Sequence, residues 1–108
     1  MKTNRMKKLE EIAKEKGYFL KIVTSMGLFD NYDMFHNIFE QYEEPCRRLL
    51  ILTKDENLEE VYEKDIKEYP SKFEDIIYLK EFPINCSYGI IKETEFTEQE
   101  IIKIKEII

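Results

Sequence analysis

Four consecutive apolar residues, Leu49, Leu50, Ile51 and Leu52, constrain the fold more than any other feature of the chain. Side chains on a strand alternate between faces, so a strand apolar throughout must be covered on both sides, as a central strand between helices is. Three more short apolar runs, at residues 18–24, 75–80 and 88–93, also read as strands.

Between these runs a helix-start signal recurs, a small polar residue followed three places later by an acid. Asp30 with Asp33, Asn57 with Glu60, and Thr97 with Glu100 carry it. They predict helices running to about Glu43, to about Tyr69 and to the C-terminus, with Pro45 and Pro70 as stop signals beyond the first two. An earlier helix over residues 3–16 has the apolar stripe Met6, Leu9, Ile12 and Ala13, and Gly17 stands where a left-handed cap belongs. Helices alternating with strands predict an α/β (or α+β) fold in a single domain, residues 1–108. The sheet would have about four strands with a parallel pair, packed by about four helices. Only seven residues, EFPINCS, separate the last two runs, which predicts an antiparallel hairpin on the C-terminal side. Residues 71–80 fit a helix opened by Ser71 and Glu74 as well as they fit a strand.

The chain has no run of about 18 apolar residues to cross a bilayer. Its start lacks the apolar centre of a secretion signal, so the expectation is a soluble, cytoplasmic protein. Cys46 and Cys86 fit no metal spacing and are expected as reduced thiols. Fifteen isoleucines and fourteen lysines against one alanine reflect AT-rich codons, and point to an AT-rich bacterium or to a phage or mobile element living in one.

The net charge of −6 is unevenly spread. Residues 1–24 hold seven bases and three acids, whereas residues 55–75 hold nine acids and three lysines. Glu59, Glu60 and Glu63 fall on the outward face of the predicted helix 57–69 and, with Glu56 at its cap, form a candidate docking surface for a basic protein, with tyrosines as anchors. Asp65 falls on that helix's inward stripe, where a carboxylate needs a donor or a place at the stripe's edge.

Three other readings compete. The stretch LEEIAKEKGYFLKIVTSMG resembles the opening of a helix-turn-helix, which would put Lys2, Arg5, Lys7 and Lys8 near phosphate. A pI near 4.9 opposes the electrostatic attraction that such binding needs. Ser25 and Gly27 in one loop, with Lys54 and Asp55 in another, would form a ligand or catalytic site if both loops leave the carboxyl ends of parallel strands. Asp33, His36 and Glu40 follow a helical stripe that presents two carboxylates and an imidazole, but one histidine is too little nitrogen for a zinc or iron site. No metal, cofactor or catalytic trio is therefore expected. The favoured expectation is an acidic interaction module that occludes a nucleic-acid-binding or nuclease-like protein, as an inhibitor, immunity or anti-defence protein does.

Overall fold

Heptad-like spacing of Met6, Leu9 and Ala13 buries one stripe of the first helix, α1 (Asn4–Glu15), and leaves its lysines exposed. The Ala13 carbonyl accepts the amides of Lys16 and Tyr18, and Gly17 adopts φ +82°, the left-handed conformation that lets the chain reverse into the sheet. The computed structural model describes residues 4–108. After α1 come β1 (Phe19–Asp33), β2 (Ile38–Thr53), β3 (Glu60–Tyr62), α2 (Glu63–Glu68), a 3-10 turn (Pro70–Phe73), β4 (Ile77–Pro83), α3 (Tyr88–Lys92) and α4 (Glu98–Ile107).

The strands form one mixed sheet in the order β3-β1-β2-β4. β1 pairs with β2 antiparallel and with β3 parallel, and β2 pairs with β4 antiparallel. With one parallel pair and four α-helices among the described residues, the fold is α+β. Leu49–Leu52 is the buried central strand that its composition demands. Leu50 and Leu52 pack with Met6, Leu9, Ala13, Phe96, Ile101 and Ile104 on one face of the sheet. Leu49 and Ile51 pack with Val23 and Val61 on the other, against Leu58, Ile66, Phe73 and Ile76. Thr97 caps α4 as its sequence predicts: its hydroxyl accepts the Glu100 amide, and the Glu100 carboxylate accepts the Thr97 amide. The amide bond from Thr97 also holds the Glu100 carboxyl below its ordinary pKa, with Lys80 adding to the effect.

Three elements depart from the sequence reading. Residues 30–43, expected as a helix, instead continue β1 and β2 into a long hairpin. The Asp33 carboxylate accepts the Phe35 amide at 2.9 Å and Asn37 takes φ 51°, so the acid that mimics a helix start closes a turn. Within residues 57–69, Glu60–Tyr62 form strand, because Thr24 donates its amide to the Glu59 carbonyl and draws β3 onto the sheet edge. Asp55 and Asn57 make a turn there, and the helix starts only at Glu63. Asp65 consequently sits in the first turn of α2, half-buried, where the positive helix end favours a carboxylate.

The run at 88–93 is α3, with Ser87 accepting the Ile90 amide as its N-cap. β4 therefore lies against β2, and the expected hairpin between residues 75–80 and 88–93 does not form. The Arg48 guanidinium stacks 4.1 Å from the Tyr88 ring and donates to the Cys86 carbonyl, which fixes the start of α3. The ambiguity over residues 71–80 resolves into a 3-10 turn followed by strand.

Phe96 is fully buried between the sheet and α4, so Phe96→Ala should cost about 3–5 kcal/mol, whereas Thr97→Ala, losing only the cap, should cost about 1 kcal/mol. Urea unfolding of both variants checks this ordering; equal costs would show that Phe96 is not in the core.

Candidate functional site

Burial along the hairpin changes abruptly. In β1 every residue up to Gly27 except Phe19 is at least half-buried, and Leu28 to Tyr32 are exposed. In β2 the change falls between Pro45 and Cys46. Beyond this line the two strands leave the body as a ribbon of about seven residue pairs, projecting roughly 20 Å at 3.3 Å per residue. The molecule accordingly measures 55 × 30 × 24 Å.

A β-bulge sits at the line: Ser25 faces Arg47, Met26 faces Pro45, and Cys46 is the extra residue. Ser25 is only 2% exposed. Its hydroxyl donates to the Glu63 carboxylate at 3.5 Å, and the Cys46 thiol donates to the Ser25 carbonyl at 3.2 Å. Arg47 bridges Glu63 at 3.3 Å and Glu81 at 2.8 Å. Its hydrogen bond with Cys46, then the charges of Glu81 and Glu63, raise the Arg47 pKa further above its ordinary value. A Cβ on Gly27 would lie 3.2 Å from the Cys46 sulfur, a tight contact that the Cys46 side chain would relieve only by shifting a few tenths of an ångström. A shallow cleft of about 430 Å³ lies beside this cluster, lined by Ser25, Arg47, Glu63, Tyr78 and Glu81 among others. Burial raises the pKa of the Tyr78 phenol. Arg47 already engages both carboxylates, and no imidazole stands nearby to act as a base, so the cluster acts as a clamp that ties the root of the ribbon to α2 and β4.

The ribbon itself is apolar and acidic at once. Leu28, Phe29, Tyr32, Met34, Phe35, Ile38, Phe39 and Tyr42 are exposed, with Phe35 at 98% and Met34 at 82%. Asp30, Asp33, Glu40, Glu43 and Glu44 lie among them, and no lysine or arginine occurs between Lys21 and Arg47. Cross-strand neighbours share a face, so Phe29 and Tyr42 stack with ring centroids 6.2 Å apart on one side, while Leu28, Tyr32 and Phe39 lie on the other. Gln41 donates to Asp30 at 3.0 Å, and the Tyr32 hydroxyl meets the Asn37 side chain at the tip.

The residues singled out in the sequence are redistributed. Asp33 and His36 meet at 2.5 Å, but Glu40 stands opposite Asn31 in the ladder, so the helical stripe of three does not exist. Among the described residues no three His, Cys, Asp or Glu side chains gather as a metal-holding group. Ser25 and Gly27 lie within β1, whereas Lys54 and Asp55 follow Thr53, which pairs with Phe19. Antiparallel pairing thus separates the two halves of the expected ligand site by roughly 20 Å. Lys54 instead reaches Asp75 at 4.0 Å.

The helix-turn-helix reading meets a strand at Phe19 where its second helix would be. Lys2 lies outside the described residues; Arg5 donates to the Phe96 carbonyl at 3.2 Å, and Lys7 and Lys8 are exposed on α1. Glu56, Glu59 and Glu60 are exposed along the loop and strand at the β3 edge, while Glu63 turns inward to Arg47. Glu60 accepts the Tyr62 hydroxyl at 2.6 Å, which raises the tyrosine's pKa. The residues missed in the sequence are those of the ribbon, and the signal that marks them is the stretch from Ile22 to Cys46 with five acids and no lysine or arginine.

No family model, curated protein or solved structure matches this chain.

The hydrogen bond from His36, with help from the Phe35 amide, lowers the pKa of the exposed Asp33 carboxyl. A carboxyl lowered in the folded state stabilises the tip above its unfolded pKa, and that contribution is lost as pH falls through the folded value. Carboxyl NMR titration should place the Asp33 midpoint below that of an ordinary aspartate and move it upward in His36→Ala; an unchanged midpoint would show that the pair does not form.

Proposed function

We propose that this protein is an acidic interaction module whose β-ribbon docks onto a basic protein surface. The observation that carries the reading is the coincidence, on one projecting element, of eight exposed large apolar side chains with five acids and no lysine or arginine. Contiguous exposed apolar surface rimmed by charge marks an interaction site in a folded domain. Aromatic side chains supply large contact area, and carboxylates steer the encounter with a positive partner. The same charges repel a second copy of the ribbon, which favours a basic partner over self-pairing.

A nucleic-acid-binding or nuclease-like protein has the complementary surface. Docking there would occlude its groove, as an inhibitor or anti-defence protein of a phage or mobile element does. Glu56, Glu59 and Glu60 at the β3 edge provide a second acidic surface.

Two charge-reversal variants separate the two surfaces: Glu40→Lys, Glu43→Lys and Glu44→Lys together on the ribbon, and Glu56→Lys, Glu59→Lys and Glu60→Lys together on the body. The wild type, used as bait in an AT-rich bacterial lysate, should retain a protein of pI above about 9, which is then purified and measured directly. Its association rate should fall with the ribbon variant, most steeply at low salt where the Debye length exceeds about 10 Å, and change little with the body variant. Equal association with a folded ribbon variant would contradict the proposal.

A further inference from the structure

The free edge of β1 within the ribbon has a defined hydrogen-bonding register. Thr24 directs its amide away from β2, to the carbonyl of Glu59 just before β3. Backbone direction alternates along a strand, so Leu28, Asp30 and Tyr32 point their amides and carbonyls the same way. β3 ends at Tyr62, opposite Met26, and the chain turns into α2, so nothing among the described residues covers this row. The opposite edge is different. On β2 the outward positions are those facing Met26, Leu28, Asp30 and Tyr32, namely Pro45, Glu43, Gln41 and Phe39. Proline has no N–H to offer there, and β4 itself ends in Pro83 opposite Arg47, so the β2 edge is closed to an added strand at the ribbon's root.

We propose that the partner engages the ribbon by strand addition: an extended segment, basic and apolar, pairs with the β1 edge at Leu28, Asp30 and Tyr32 and prolongs the line of β3. The inference rests on the docking role proposed for the ribbon and adds the mode and the chemistry of the occupant. Leu28, Asp30 and Tyr32 present an apolar, an acidic and an apolar side chain on one face of the ribbon, beside Glu43, Gln41 and Phe39. A strand laid along this edge matches it with a basic residue between two apolar ones. On the other face Phe29, Asn31 and Asp33 call for an apolar, a polar and a basic residue. Main-chain pairing supplies affinity, and charge supplies selectivity. A second copy of this chain fits poorly, because its own ribbon strands carry acids where the register needs bases.

The test uses the whole protein and the acetylated, amidated peptide Val-Val-Lys-Thr-Val-Lys, together with the same peptide N-methylated at every second residue, in both phases. Methylation keeps charge and side chains but removes the donors along one edge. The unmethylated peptide should slow amide exchange at Leu28, Asp30 and Tyr32, and the phase that blocks its pairing edge should bind about tenfold more weakly or worse. Equal binding of all three without amide protection would overturn strand addition while leaving side-chain docking on the ribbon intact. Protection at Phe39, Gln41 and Glu43 instead would overturn the choice of edge. No binding by any peptide at millimolar concentration would overturn the inference as well, and the charge-reversal measurement would then decide separately whether the ribbon docks at all.

Discussion

The antiparallel register between β1 and β2, from Phe19 opposite Thr53 to Asp33 opposite Ile38, is the constraint on which the rest of the structure depends. Its inner half places Val23, Leu49 and Ile51 on one face and Ile22, Leu50 and Leu52 on the other, and so creates both cores. Its outer half runs past every covering element. A slip by one residue would exchange the faces of one strand relative to the other and mismatch both cores.

An isolated two-stranded ribbon is marginal in water, so this one needs its root held. The bulge at Cys46 and the bridging of Glu63 and Glu81 by Arg47 provide that hold. These ion pairs are partly exposed and individually contribute little. Their role is positional: they join β2 to α2 and β4 at the line where burial ends, where the Gly27 backbone also packs closely on the Cys46 side chain. Farther out, the Phe29 and Tyr42 rings and the turn at Asp33 and Asn37 keep the strands together.

The body was largely legible in the sequence because its signals are local and agree with its packing. The stripe of α1, the cap at Gly17, the box at Thr97 and Glu100, and the doubly buried Leu49–Leu52 run all mean in the fold what they mean in isolation. The ribbon was not legible, since a strand pair exposed on both faces has no period-2 burial to display. Its aromatics fall by chance at helical spacing, and Asp30 and Asp33 imitate a helix start while serving a cross-strand bond and a turn. The predicted helix at residues 57–69 is shortened to Glu63–Glu68 for a tertiary reason, the capture of Glu59 to Tyr62 by the β1 edge, which no local signal encodes. The candidate site moved with these elements. The acidic face expected on a helix is split between the β3 edge and the clamp, and the acids that project farthest lie on the ribbon.

The central claim is that residues 28–45 form an ordered ribbon in register with the sheet. Proton NMR of the isotope-labelled chain tests it directly, because non-hydrogen-bonded antiparallel pairs bring α-protons into close contact. The account predicts α-proton cross-peaks between Leu28 and Glu43, Asp30 and Gln41, and Tyr32 and Phe39. Contacts from α-protons to amides three residues ahead across residues 30–43, the signature of a helix, would contradict it.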